Sequence, residues 1–188
     1  MSPQLFFSLL GLLGAAVVAG VFTWRFISYR GRRIVTCPET QQPAGVELDA
    51  WLAARRRGIE DEPALRLESC SRWPEHEDCC QACVAQIEAS PEGTLMRNIL
   101  VAWLRGKSCA FCGQMIDVVA WHDEMPALRS PDGSLREWEG IAAADLPAML
   151  ATDQAVCSNC LLTESFRRDN PSLVTDRAET ALRNRLFH

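Results

Sequence analysis

Two pairs of cysteines are the residues of this chain whose types and spacing most clearly point to chemistry. They form two CxxC motifs, Cys109 with Cys112 and Cys157 with Cys160, and 44 residues separate the motifs. A CxxC segment can fold into a tight turn that directs two thiolates at one point, and Gly113 supplies the backbone freedom for such a turn. Two turns of this kind complete the four-sulfur tetrahedron that zinc prefers. The spacing therefore predicts one closed metal site with no open position for a substrate.

The arrangement of these four cysteines resembles the tetracysteine sites of zinc ribbons and rubredoxins. The resemblance extends over residues 107–161 and rests on the cysteine spacing and on Gly113, with a longer gap between the pairs than either family has. It implies a structural zinc ion. Rubredoxins hold iron in the same geometry, so the ligand set leaves iron as the alternative metal.

The five remaining cysteines predict a second and less compact site. Cys37 and Cys70 each follow a predicted strand, and three further cysteines lie at the predicted start of a helix. Cys79 and Cys83 are four residues apart, and Cys80 and Cys83 are three apart, so either pair could share one face of a helix. We predict that Cys37, Cys70, Cys79 and Cys83 bind a metal, with Cys80 as the alternative to Cys79. Scattered buried cysteines are the competing explanation.

The N-terminal segment predicts a single membrane span. Residues 1–24 contain no charged side chain, and residues 5–24 form an apolar run that would be about 30 Å long as a helix, close to the hydrocarbon thickness. Arginines follow at positions 25, 30, 32 and 33. The positive-inside rule then places the N-terminus outside and the C-terminal domain in the cytoplasm. A cleavable signal peptide is the alternative, but its positive charge would precede the apolar stretch.

The compartment decides what the nine cysteines mean. In reducing cytoplasm, clustered cysteines bind metal more often than they form disulfides, whereas an exported domain would use them as disulfides. The four arginines before residue 34 leave 15 basic and 24 acidic residues in the remainder, a net charge of −9. This balance argues against nucleic-acid binding, which needs a positive surface.

Short alternating segments and short helices predict an α+β fold. Strands are expected near residues 33–37, 46–49 and 64–67, with a hairpin at Pro131-Asp132-Gly133. Helices are expected to begin at Cys79 and Ser90 and to cover residues 144–150, 161–168 and 176–186. The predicted organisation is an anchor over residues 1–33, an N-terminal metal lobe over residues 34–106 and a zinc-ribbon-like lobe over residues 107–188.

These patterns predict a membrane-anchored cytoplasmic zinc-binding scaffold or protein-interaction module whose metal sites are structural. No catalytic residues are predicted, because the common nucleotide-binding and hydrolase motifs are missing from the sequence. We accordingly expect a protein partner rather than a small-molecule substrate. The alternative is a membrane-tethered redox protein that uses rubredoxin-like iron or the thiols of the CxxC motifs.

Overall fold

One long helix, several short helices and short antiparallel strands make up the fold. The structure is a computed structural model that describes residues 3–55, 65–76, 78–117, 119 and 126–171, with side chains from residue 7 onward. The chain divides into two compact units, residues 1–102 with 142–148 and residues 103–141 with 149–188. The mixed class is confirmed, whereas the predicted helix over residues 176–186 lies outside the described residues.

The first unit begins with a long apolar helix, α1 (Pro3–Tyr29). Its segment Phe7–Tyr29 has 23 residues and a mean hydropathy of 2.0, and none of its most apolar stretch is buried within the protein. A helix of that length extends about 35 Å, which is more than the hydrocarbon thickness of a bilayer. Helix α1 is therefore long and apolar enough to cross a membrane.

A three-stranded antiparallel sheet with the order β1–β2–β3 follows α1. Its strands are β1 (Arg33–Thr36), β2 (Pro43–Leu48) and β3 (Leu67–Cys70). Successive side chains of a strand point to opposite faces, and the inward face buries Val35, Ala44, Val46 and Leu48. Thr36 pairs with Pro43. The predicted hairpin is thus confirmed, with Cys37 as the first residue of its loop.

Helix α3 (Val84–Ala89) starts later than the sequence predicts. Its expected start was Cys79, but Gln81 has a positive φ of 54°, which a right-handed helix cannot include. The side chain of Gln81 accepts a hydrogen bond from the backbone N–H of Leu67, the first residue of β3, at 3.0 Å. Gln81 is therefore bonded to the sheet and is not part of a helix. The prediction that Cys79 and Cys83 share one face of a helix is therefore wrong.

Helix α4 (Met96–Leu104) also starts later than predicted, five residues beyond Pro91. Residues 91–94 form a turn, and the carbonyl of Thr94 accepts a hydrogen bond from the N–H of Ile34 at 2.8 Å. Leu95 then forms an isolated bridge with Arg33. Pairing with β1 therefore replaces the first helical turn that the Ser-Pro pattern predicts.

Arg33 is buried in the first unit with no exposed surface. Its guanidinium donates to the Ser28 carbonyl at 2.8 Å and to the Thr94 hydroxyl at 3.0 Å, and it also donates to the carbonyl of Pro91. Because Ser28 belongs to the last turn of α1, these bonds connect that turn to the segment before α4. Arg33 is thus a core residue, whereas the sequence analysis counted it in the basic flank of the apolar run.

Residues 142–148 belong to the first unit, although the sequence analysis placed them in the C-terminal lobe. They pass so close to β2 that a Cβ atom on Gly45 would lie 2.8 Å from the Cβ of Ala143. Only glycine fits this approach without displacement. Short helix α2 (Ala50–Arg55) completes the unit.

The second unit contains two small antiparallel sheets. In one, β4 (Lys107–Ser108) pairs with β5 (Met115–Ile116). In the other, β6 lies between β7 and β8, with the bounds Ala127–Arg129, Leu135–Glu137 and Gln154–Val156. The predicted hairpin at residues 131–133 connects β6 to β7. Helix α5 (Leu146–Thr152), whose first three residues belong to the first unit, precedes β8, and α6 (Ser158–Asp169) follows it.

Candidate metal centre

The first CxxC motif forms the turn between β4 and β5. The N–H of Cys109 donates to the carbonyl of Gln114 at 2.9 Å, and the N–H of Gly113 donates back to the carbonyl of Cys109 at 2.9 Å. Gly113 has a φ of 72°, the left-handed conformation that glycine adopts at least cost. We call this turn the Cys109 knuckle.

The second CxxC motif lies at the junction of β8 and α6. Cys157 has an extended backbone at the N-terminal cap of α6, and Cys160 lies in the first turn of that helix. The carbonyl of Cys157 accepts the helical hydrogen bond from Leu161 at 3.0 Å. The change from strand to helix directs both thiols to the same side of the chain.

The two motifs meet through backbone hydrogen bonds as well as through sulfur. The N–H of Ala110 donates to the carbonyl of Ala155 at 2.8 Å. The N–H of Cys157 donates to the sulfur of Cys109 at 3.4 Å. The Cys109 knuckle therefore lies directly against the end of β8.

The four sulfur atoms of these motifs all lie within 4.8 Å of one another. The Sγ atoms of Cys112 and Cys157 are 3.9 Å apart. In a zinc tetrahedron with bonds of 2.3 Å, two sulfurs are separated by about 3.8 Å. The predicted clustering is thus confirmed, and the group could hold a metal ion as a closed four-sulfur site.

Backbone donors and burial shift the pKa values of Cys109, Cys157 and Cys160 in different directions. Burial raises the pKa of Cys109, but the N–H groups of Cys112, Cys157 and Phe111 outweigh burial and lower that pKa to about 6. Burial raises the pKa of Cys157. Burial followed by the neighbouring sulfurs of the cluster raises the pKa of Cys160. One thiolate is therefore stabilised by the fold, while further negative charge in the cluster requires a cation.

The apolar surroundings of the cluster are small. Cys109 packs with buried Ala127, Val156 and Leu161, and Phe111 packs against the edge of this group. The guanidinium of Arg129 lies 5.1 Å from the centre of the Phe111 ring. The contact of Arg129 with Phe111 could not be predicted from the sequence, because no spacing rule connects a residue of β6 to the Cys109 knuckle.

The other predicted cysteine group is arranged more loosely. Cys83 is buried in the core of the first unit, and Cys37 and Cys70 pack against that core. Cys79 is half-buried and Cys80 is exposed. Among the described residues, only the group of Cys109 brings three or more ligand atoms within 4.8 Å of one another. The second metal site remains a prediction.

The fold and the cluster define an α+β protein with a tetracysteine centre that could bind a metal and one apolar N-terminal helix. Comparison with known proteins adds no relative to this description: no family model, no curated protein and no solved structure matches the chain.

Proposed function

We propose that this protein is a membrane-anchored scaffold whose second unit is stabilised by a structural zinc ion bound to Cys109, Cys112, Cys157 and Cys160. The observation that carries the proposal is the convergence of four sulfurs within 4.8 Å. Four thiolates fill a zinc tetrahedron, so that no position remains for a catalytic water. Such a site stabilises a fold rather than performing a reaction.

The size of the elements around the cluster supports a structural role. Strands β4 and β5 have two residues each, and β8 has three. Elements this short bury too little apolar surface to be stable alone. A zinc ion would tie the β4–β5 turn to the start of α6, and structural zinc contributes on the order of 10 kcal/mol to the folding of small domains.

The length and apolar surface of α1 support the proposal that this helix anchors the protein in a membrane. The contact between α1 and α2 indicates which end of α1 would lie at the membrane interface. The ring of Trp51 in α2 lies 5.4 Å from the ring of Phe22 and 5.6 Å from that of Phe26. Phe22 is about 10 Å from Tyr29 along the helix axis. In a spanning orientation, Trp51 would lie in the interfacial region, where tryptophan is enriched. Arginines at positions 25, 30 and 32 favour the cytoplasm for the domain that follows.

A protein partner fits the exposed surface next to the cluster. Leu162 and Phe166 lie four residues apart in α6 and therefore share one face of the helix, and their exposed fractions are 67% and 54%. Exposed apolar side chains beside a rigid centre are typical of interaction sites. The proposed role is therefore to present such a surface at the membrane.

Metal analysis of the full chain in detergent tests the structural site. We expect tightly bound zinc, no visible absorption, and the loss of one zinc ion per chain in the Cys112→Ser and Cys160→Ser variants. The matched control is Cys80→Ser, which removes an exposed thiol outside the cluster and should keep the zinc content of the parent. A coloured protein that contains iron and is reversibly reduced would overturn the scaffold in favour of electron transfer.

Thiol labelling in sealed membrane vesicles tests the topology. Cys80 is exposed, so a membrane-impermeant reagent should reach it only from the cytoplasmic face. Labelling from the opposite face, or oxidised cysteines in the purified protein, would support an exported domain instead.

A further inference from the structure

The loop of the β1–β2 hairpin has the same backbone hydrogen bonds as the Cys109 knuckle. The N–H of Cys37 donates to the carbonyl of Gln42 at 2.9 Å, and the N–H of Gln41 donates to the carbonyl of Cys37 at 2.8 Å. These bonds join the first residue of the turn to the residues four and five positions later, as they do at Cys109. Gln41, at the position of Gly113, has a φ of 56°.

Gln41 is a non-glycine residue in the left-handed region, which is uncommon and costs free energy. The turn is therefore imposed by its surroundings rather than by the preference of Gln41.

Thr40 stands where the second cysteine of a CxxC motif would be. We call the turn over residues 37–42 the Cys37 turn. It can supply one sulfur to a metal rather than two. Any remaining ligands must come from elsewhere in the first unit.

Three more cysteines surround the same region. Cys83 is buried in the hydrophobic core of the first unit, and Cys37 and Cys70 pack against that core. Glu39, in the Cys37 turn, and Cys79 line the same polar cleft. The Cys37 turn and the segment that contains Cys79 are therefore neighbours.

We propose that Cys37, Cys70, Cys79 and Cys83 bind a second zinc ion, in which the Cys37 turn acts as a knuckle with a single sulfur. This site lies in the first unit, shares no ligand with the cluster of the second unit and extends the proposed function to both units. No three of these four sulfurs lie within 4.8 Å of one another, so binding must draw them together. Cys37 and residues 79–81 belong to neither a helix nor a strand, so Cys37 and Cys79 can move without disrupting regular structure. Cys79 is the fourth ligand because it lines the same cleft as Glu39 of the Cys37 turn, whereas Cys80 does not line that cleft.

The zinc content of the full chain in detergent, measured by mass spectrometry, tests the proposal. We expect two zinc ions per chain in the parent, one after Cys112→Ser with Cys160→Ser, one after Cys70→Ser with Cys83→Ser, and none when all four changes are combined. If zinc binds in the first unit but not in the second, the parent binds one zinc ion that only Cys70→Ser with Cys83→Ser removes. If zinc binds in the second unit but not in the first, only Cys112→Ser with Cys160→Ser removes it.

A pair of adjacent single variants checks the assignment of the fourth ligand. Cys79→Ser should lower the zinc content by one ion, while Cys80→Ser should leave it unchanged. Cys79→His retains a ligand, and we expect it to keep two metal ions and to shift the visible spectrum of the protein loaded with Co²⁺. That spectral shift separates ligation from a loss of folding. A parent protein that binds only one zinc ion per chain, and keeps it in Cys70→Ser with Cys83→Ser, would overturn the proposal. So would an unchanged Co²⁺ spectrum in Cys79→His.

Discussion

The Sγ atoms of Cys112 and Cys157 lie 3.9 Å apart, although 45 positions separate the two residues in the chain. This distance is close to the sulfur separation of about 3.8 Å in a zinc tetrahedron. The turn between β4 and β5 and the start of α6 therefore already stand in the geometry that a shared ion would require.

Removing one sulfur from the cluster should unfold the second unit. In Cys112→Ser or Cys160→Ser, we expect the loss of most of the zinc contribution to folding, which is on the order of 10 kcal/mol in small domains. The measurement is thermal unfolding followed by circular dichroism, with zinc present. Cys80→Ser should melt with the parent protein, because its thiol is exposed and lies outside the cluster. A melting curve that is unchanged in the Cys112 and Cys160 variants would contradict the structural site.

Zinc affinity should rise with pH. The pKa values of Cys157 and Cys160 are raised, so these thiols hold protons at pH 7 and must release them to bind metal. Each proton released on binding makes the apparent affinity rise about tenfold per pH unit, so Cys157 and Cys160 alone give a slope of at least about 100-fold per pH unit. Below pH 6 the dependence should become steeper, because Cys109, with a pKa of about 6, then also carries a proton. Competition with a chelator at several pH values measures the slope, and a flat profile would exclude thiolate coordination by these residues.

Replacing Arg33 should destabilise the first unit. Arg33→Ala removes a buried guanidinium that donates to Ser28, Pro91 and Thr94. Hydrogen bonds to charged groups contribute about 1.5–3 kcal/mol each, and the hydroxyl of buried Thr94 would lose its donor, so we expect a loss of about 3 kcal/mol or more in the free energy of unfolding. Chemical unfolding in detergent provides the measurement. Arg30→Ala is the matched control, since Arg30 is exposed, and an equal effect of the two changes would refute the special role of Arg33.

Trp51 should contact lipid if α1 spans the bilayer as proposed. Its ring packs on Phe22 and Phe26 of α1 and is still 63% exposed. In vesicles that contain brominated lipids, we expect Trp51→Phe to reduce the fraction of tryptophan emission that the lipids quench. Trp138→Phe, a change in the second unit, should leave the quenched fraction at least as large as in the parent. Equal quenching in the parent and in Trp51→Phe would place α2 away from the bilayer.

The sequence predicted the elements whose signals are local. The alternation of β1 and β2, the hairpin at residues 131–133 and the apolar run of α1 depend on residues that are adjacent along the chain. The cysteine spacing also predicted the cluster of the second unit. Each CxxC motif places two ligands within one turn, so that only one long-range contact, the one between the two motifs, has to form.

Predictions failed where a distant contact replaced a local preference. The Ser-Pro pattern predicted a helix from Ser90, but residues 94–96 bond to β1 and its flanking residues and delay α4 to Met96. Cys79 was expected to begin a helix, but the left-handed backbone of Gln81 and its bond to Leu67 prevent it. In both places, hydrogen bonds across the sheet outweigh a propensity of a few tenths of a kcal/mol per residue.

By itself, the sequence determined the apolar helix, the class of fold and four of the cysteines that could hold a metal, since each of these depends on composition or on short spacing. Only the tertiary structure decided that Arg33 lies in the core, that residues 142–148 pack on Gly45, and that the loop at Cys37 has the hydrogen bonds of a knuckle. These features depend on residues that are far apart in sequence, and their positions are set by how the sheet and helices pack together.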